Sequence, residues 1–147
     1  MTSKTSQGPD EMNDPFAYLY SYEFVLLTTF RKNGLGVPTA MWFAHEHGKL
    51  YMVTGHTTGK IKRIRKNEHV LLAPCDLMGN ILGPQIEAYA HELSAPDNVH
   101  ANALLASKYG AEYEMDSSSE EYEEYEEDEE TFIEIESIPG NAIYDKG

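Results

Sequence analysis

At 147 residues with 41% apolar content, the chain is long enough for one domain with a real core, and it excludes a wholly disordered polymer. The formal charge of −14 is one local feature: 14 of the 25 acidic residues lie between Glu112 and Glu136, where there is no Lys or Arg, and the other 11 match the 11 basic residues elsewhere, so nothing draws the whole chain to nucleic acid or an anionic membrane. No apolar run approaches the ~18 residues of a membrane span, and the single cysteine, Cys75, excludes an intramolecular disulfide and suits a cytoplasmic protein.

Residues 1–15 read as a disordered tail with no hydrophobic signal segment, and residues 16–147 as a single domain with an acidic insertion at about 112–130. Phe16 to Tyr22 fits a short helix. Phe24 to Phe30 (FVLLTTF) is rich in β-branched and aromatic residues and predicts a buried strand. Asn33-Gly34 predicts a type I′ hairpin turn, Val37 to Ala44 the returning strand, His45 to Gly48 a second turn, and Lys49 to Thr54 a third strand, together a meander.

Thr57 to Asn67 then breaks the β pattern: Thr57 or Thr58 suits an N-cap, and Ile61 and Ile64 share one helical face. Val70 to Pro74 returns to strand, Asp76 to Pro84 is a loop, and Gln85 to Leu93 alternates as a strand. Asp97 to Tyr109 has apolar residues at helical spacing, and Thr131 to Ile138 alternates as a last strand with one solvated face. Five or six antiparallel strands with short helices predict a mainly β protein, a small closed barrel.

Five of the 11 basic residues crowd into seven positions, Lys60, Lys62, Arg63, Arg65 and Lys66, directly after Thr54-Gly55-His56-Thr57-Thr58-Gly59. Small residues that let backbone N–H groups approach an anion, threonine hydroxyls, the positive end of a helix and a lysine in its first turn make a phosphate site. The same bases on the solvated face of a short helix explain the composition as well. A nucleic-acid patch lacks its interleaved aromatics here, and a Walker motif lacks its Gly-Lys-[Ser/Thr] ending.

The runs LLTTFRKNG (Leu26 to Gly34), VPTAMWF (Val37 to Phe43) and KLYMVTGHTTGKIKRIRKNEHVLLAPCD (Lys49 to Asp76) resemble the pyridoxamine-phosphate-oxidase-like, FMN-binding split β-barrel superfamily, and within it the deazaflavin (F420)-dependent oxidoreductases. The resemblance implies a flavin- or deazaflavin-dependent oxidoreductase acting on a small organic substrate, or else a non-enzymatic flavin carrier of the same fold. It also implies a homodimer with two cofactor sites at the subunit interface. By position, Thr58, Gly59 and Lys60 would hold the cofactor phosphate with Lys62 nearby. Pro38, Thr39, Ala40 and Met41 would run along the ring, and Thr54 and Gly55 would line its edge. No side chain need act as acid or base, because such cofactors carry the hydride chemistry. The arginine- and histidine-bearing C-terminal motif of true pyridoxine-phosphate oxidases has no counterpart in GNAIYDKG, so that activity is not expected. The Glu-rich stretch stands where the deazaflavin branch is commonly basic, which keeps FMN open beside F420.

His45 and His47 flank a turn without a ligand set, and His91 and His100 are scattered, so no metal site is expected. Cys75, closing an apolar strand, reads as a buried structural thiol, Trp42 as barrel packing, and Glu120 to Glu130 as a solvated insertion.

Overall fold

The computed structural model describes residues 14–110, 113 and 129–139. The expected N-terminal tail, apart from its last two residues, and nearly all of the acidic insertion lie outside these. A short 3-10 turn at Ala17–Leu19 precedes β1 (Phe24–Phe30), β2 (Gly36–Trp42), β3 (Ala44–Glu46), β4 (Lys49–Gly55), α1 (Gly59–Lys66), β5 (His69–Cys75), β6 (Ile86–Glu92), α2 (Ala95–Tyr109) and β7 (Glu130–Ser137). All seven strands join one antiparallel sheet in the order β2-β1-β5-β6-β7-β4-β3.

The two edge strands, β2 and β3, are consecutive in sequence and separated only by Phe43. The sheet therefore has to curl until its edges meet, giving a barrel that is split along the β2/β3 seam. This corrects the expected meander: β4 pairs with β3 and β7, and β2 pairs only with β1. It also divides the single strand expected over Val37 to Ala44. The break carries its own hydrogen bonds. The Phe43 N–H donates to the Tyr109 hydroxyl at 2.9 Å, and that hydroxyl has one proton to give to the carbonyls of Phe43 and Glu23, each 2.8 Å away. A side chain from α2 thus satisfies buried peptide groups that the ladder leaves open.

The turns are also corrected. At Asn33-Gly34 only Gly34 has positive φ (90°), and its N–H bonds the Arg31 carbonyl at 2.8 Å. That is a turn closed by a left-handed glycine, not a type I′ pair. The two-residue loop with positive φ at both positions is His47-Gly48 (53° and 77°) between β3 and β4. The second helix begins at Ala95, earlier than expected, because Pro96 sits in its first turn, where a missing N–H breaks no bond.

Alternation sorts the side chains into two clusters. Val25, Leu27, Leu50, Met52, Val70, Leu72, Ile86, Ile133 and Ile135 fill the barrel, with Phe16 and Leu19 packed among them and Ile61 and Ile64 of α1 plugging its end. On the outer face Tyr51, Phe132, Ala101, Leu105 and Tyr113 form a second cluster under α2. Trp42 belongs to the latter. It stacks on Tyr109 (centroids 4.6 Å apart) and does not fill the barrel. For the same reason the outer face of β7 is not simply solvated: Phe132 is buried beneath α2, and Glu134 accepts from Tyr51 at 3.0 Å. Among the described residues no helix is long and apolar enough to cross a membrane.

Candidate functional site

The buried polar residues among those described are three threonines, Thr29, Thr54 and Thr131. They stand on β1, β4 and β7 at the barrel mouth under α1, and each holds a charged group. Arg63 Nε donates to Thr29 Oγ1 at 2.7 Å, and Lys60 Nζ to Thr54 Oγ1 at 3.2 Å. Thr131 donates to Glu92, which in turn takes both Nε and a terminal nitrogen of Arg65 (2.7 and 2.9 Å). Those hydrogen bonds hold the Glu92 carboxyl well down, at about 2.

Around Thr54 the proton positions can be followed. Thr58 Oγ1 gives its single proton to the Gly55 carbonyl (3.1 Å), so across the 3.2 Å contact with Thr54 it must accept. Lys60 therefore leads a relay through Thr54 and Thr58 to Gly55. Thr58 is the N-cap of α1 yet makes no side-chain bond to the helix backbone, and the first turn contains no acidic residue. Neither an acidic residue of the first turn nor a side-chain cap from Thr58 offsets the positive end of the helix. At Gly59 the Arg63 guanidinium comes close to the backbone: a Cβ there would lie 2.8 Å from one of its terminal nitrogens, which would have to swing away. The Arg63 guanidinium at Gly59 and the Lys60 ammonium on Thr54 belong to the same helix start, a donor set that fits a phosphate. Burial, and then Arg31, push the Arg63 guanidinium below its usual range.

The structure brings Thr54, Gly55, Thr58, Gly59 and Lys60 together. Lys62 is turned elsewhere. It lines a groove of about 880 Å3 between α1 and the β1–β2 turn, with Arg31, Lys32, Asn33, Gly59, Arg63, Lys66 and Asn67, so that five cations and no carboxylate stand among the described lining residues. Ala40 and Met41 border a separate cavity of about 880 Å3 whose walls include Trp42, Val53, Cys75 and Glu130. Pro38 and Thr39 lie further along β2, outside its lining. Val53, in the wall of this cavity, and Thr54, which carries the relay, are consecutive on β4 and so face opposite sides of the sheet, Thr54 into the barrel and Val53 toward the outer cluster. Cys75 is buried, and burial raises its thiol. His45 stacks flat on Tyr20, while His91 and His100 pair with Glu134 and Glu46. Among the described residues no three His, Cys, Asp or Glu side chains converge as metal ligands.

Nothing in the local sequence singles out Thr29, Thr131, Glu92 or Tyr109. The two threonines were visible only as strand residues, since their partners lie 34 and 39 positions away.

A split β-barrel with a cation-flanked helix start at its mouth and an aromatic cavity alongside defines the class of protein. A family model described as pyridoxamine 5'-phosphate oxidase matches residues 16–137, and the chain belongs to that family. Among solved structures, an F420 reductase is similar at 22% identity and a TM-score of 0.54, over 82% of this chain and 91% of that one. An FAD-binding protein from Mesorhizobium loti is similar at 15% identity and 0.60, over 82% and 84%. A heme storage protein from Vibrio cholerae is similar at 10% identity and 0.58, over 97% and 95%. These likenesses are of fold. No curated protein matches by sequence.

Proposed function

We propose that the protein is a cytoplasmic oxidoreductase that binds a flavin or deazaflavin, FMN or F420, and exchanges a hydride between it and a small organic molecule. One observation carries this reading: the Thr54–Thr58–Lys60 relay stands where β4 runs out toward α1, and Val53 and Glu130, the latter paired with Gly55, wall an open cavity bordered by Ala40, Met41 and Trp42. A phosphate at Gly59 would leave the attached ring system to lie along β2, with the cavity open for a substrate. An enzyme needs room for a substrate beside the ring and a carrier does not, and the cavity is large enough to give that room. When bound, the cofactor supplies the two-electron chemistry. The chain anchors the phosphate through Lys60 and the helix start and presents the ring strand to the cavity.

Between the two cofactors, the groove of Arg31, Lys32, Lys62, Arg63 and Lys66 favours F420, whose oligoglutamate tail continues past the phosphate as a chain of carboxylates. Titration of FMN and F420 into the purified protein, followed by absorbance and fluorescence, tests this. Saturable binding of F420 tighter than FMN is expected, and binding of neither would remove the reading. Leu77, Met78, Ile81 and Leu82 expose 69, 82, 55 and 51% of their surface on the loop beside the cavity, which supports a homodimer with its cofactor sites at the interface. Light scattering should give about twice the 16.6 kDa chain mass, and a monomer that still binds cofactor would contradict the shared site.

A further inference from the structure

The charges at the two ends of this site have opposite sign. The helix start and the groove behind it carry cations. The cavity next to β2 is lined by the aromatic residues Tyr22, Phe24, Trp42 and Tyr113 and by the acidic residues Glu23, Asp76 and Glu130; Glu23 also has Lys108 in reach, in a neighbouring pocket, but none of the residues described as lining this cavity is Lys, Arg or His. Asp76 is an ionised carboxylate by construction: the Asn80 side-chain amide and the backbone N–H groups of Met78 and Asn80 donate to it at 2.9–3.0 Å and hold its carboxyl below the usual range. A bound anion here would meet acidic residues, with no Lys, Arg or His among the described lining residues to replace its water. A flat apolar ring would find stacking partners, and a positive charge on it would find aromatic faces and carboxylates.

We infer that the substrate cavity selects uncharged or cationic aromatic compounds and rejects phosphorylated or carboxylated ones. The inference rests on the cofactor reading for the word substrate, while the selectivity itself is a property of the cavity. It sets this chain apart from an enzyme acting on a phosphorylated vitamin, since the cations that could take a phosphate stand on the cofactor side.

Trp42 is the single tryptophan of the chain and lies in the cavity wall, so its fluorescence reports occupancy. The probes are three compounds with one ring: 4-nitrobenzylamine, 4-nitrobenzyl alcohol and 4-nitrobenzoate, titrated at low and at high salt into the full chain, with and without FMN or F420. The amine should quench Trp42 at a concentration at least about tenfold below the benzoate, because a few partly exposed charge pairs sum to that order. High salt should narrow the gap. Glu23→Gln and Glu130→Gln, which leave the ordered Asp76 loop untouched, should each shrink the preference severalfold at unchanged Tm. Equal or tighter binding of the benzoate, no quenching by any of the three, or an unchanged preference in both variants would overturn the inference. Failure of the cofactor reading shows separately, as absent FMN and F420 binding while the charge preference at Trp42 persists.

Discussion

Two layers of the barrel, one inward-facing step apart on the same strands, have been put to different uses. The inner layer is Leu27 on β1, Met52 on β4 and Ile133 on β7, all fully buried and apolar. The next inward position on each strand, toward α1, is Thr29, Thr54 or Thr131, nearly as buried and each holding a charged partner. Strand alternation places both layers inside, so burial alone does not separate them. What separates them is the helix above: Ile61 and Ile64 continue the apolar layer, while Lys60, Arg63 and Arg65 need hydroxyl or carboxylate partners at the rim. The fold rests on the first layer, and the charges that would face the proposed phosphate are held by the second.

The largest effect should come from breaking the apolar layer. Met52→Ala removes a fully buried side chain from close-packed surroundings and should cost ~2–5 kcal/mol, read as a lowered urea midpoint at unchanged slope. A loss under about 1 kcal/mol would mean that the barrel interior is loosely packed and the contrast between layers false.

Next in size, and confined to binding, is the rim. Lys60→Ala removes a charge-assisted contact to the proposed phosphate, worth ~1.5–3 kcal/mol, or about ten- to hundredfold in the FMN dissociation constant. Lys66→Ala, at the exposed far end of α1, should change FMN binding by less than about 1 kcal/mol. Calorimetric titration at two salt concentrations checks both. Equal effects would reduce the rim to a generic basic face.

Much of this architecture is legible in the chain, and the gaps have physical causes. Strand identities follow from runs such as FVLLTTF and TFIEIESI because alternation and β-branching are local properties. Pairing is not local. Nothing near Phe43 announces that the chain crosses from one edge of the sheet to the other, since the group that makes the break tolerable, the Tyr109 hydroxyl, lies 66 residues on. Asn33-Gly34 has the composition of a type I′ turn, but His47-Gly48 adopts that geometry because only two residues separate β3 from β4. At the site, Thr54 to Lys60 could be read directly because its members are neighbours in sequence. Arg63 was visible as a base, but its hold on Thr29 and its approach to Gly59 exist only once α1 is seated on β1.

The smallest expected effect tests whether the rim clamp contributes to folding at all. Glu92 accepts from Arg65 and Thr131 and so ties α1 to β6 and β7, and its carboxyl is lowered from 4.5 to about 2, first by the Arg65 hydrogen bond. A carboxyl lowered on folding adds stability that is complete above its unfolded value, near 4.5, and is lost as pH falls through about 2. Its pair is open to water, with about a quarter of the Glu92 side chain and a third of Arg65 exposed, so screening should hold the contribution under about 1 kcal/mol. Other acids titrate over the same range, and a single acid-unfolding curve would blur them. The difference between wild type and Glu92→Gln cancels those groups. In urea unfolding that difference should be constant from pH 7 to about 5 and shrink steadily below about 4.5. A difference that is flat down to pH 3 would mean that Arg65 and Glu92 ride on α1 without holding it. The helix would then be seated by Ile61 and Ile64 alone, and the charged rim would serve the ligand without serving the fold.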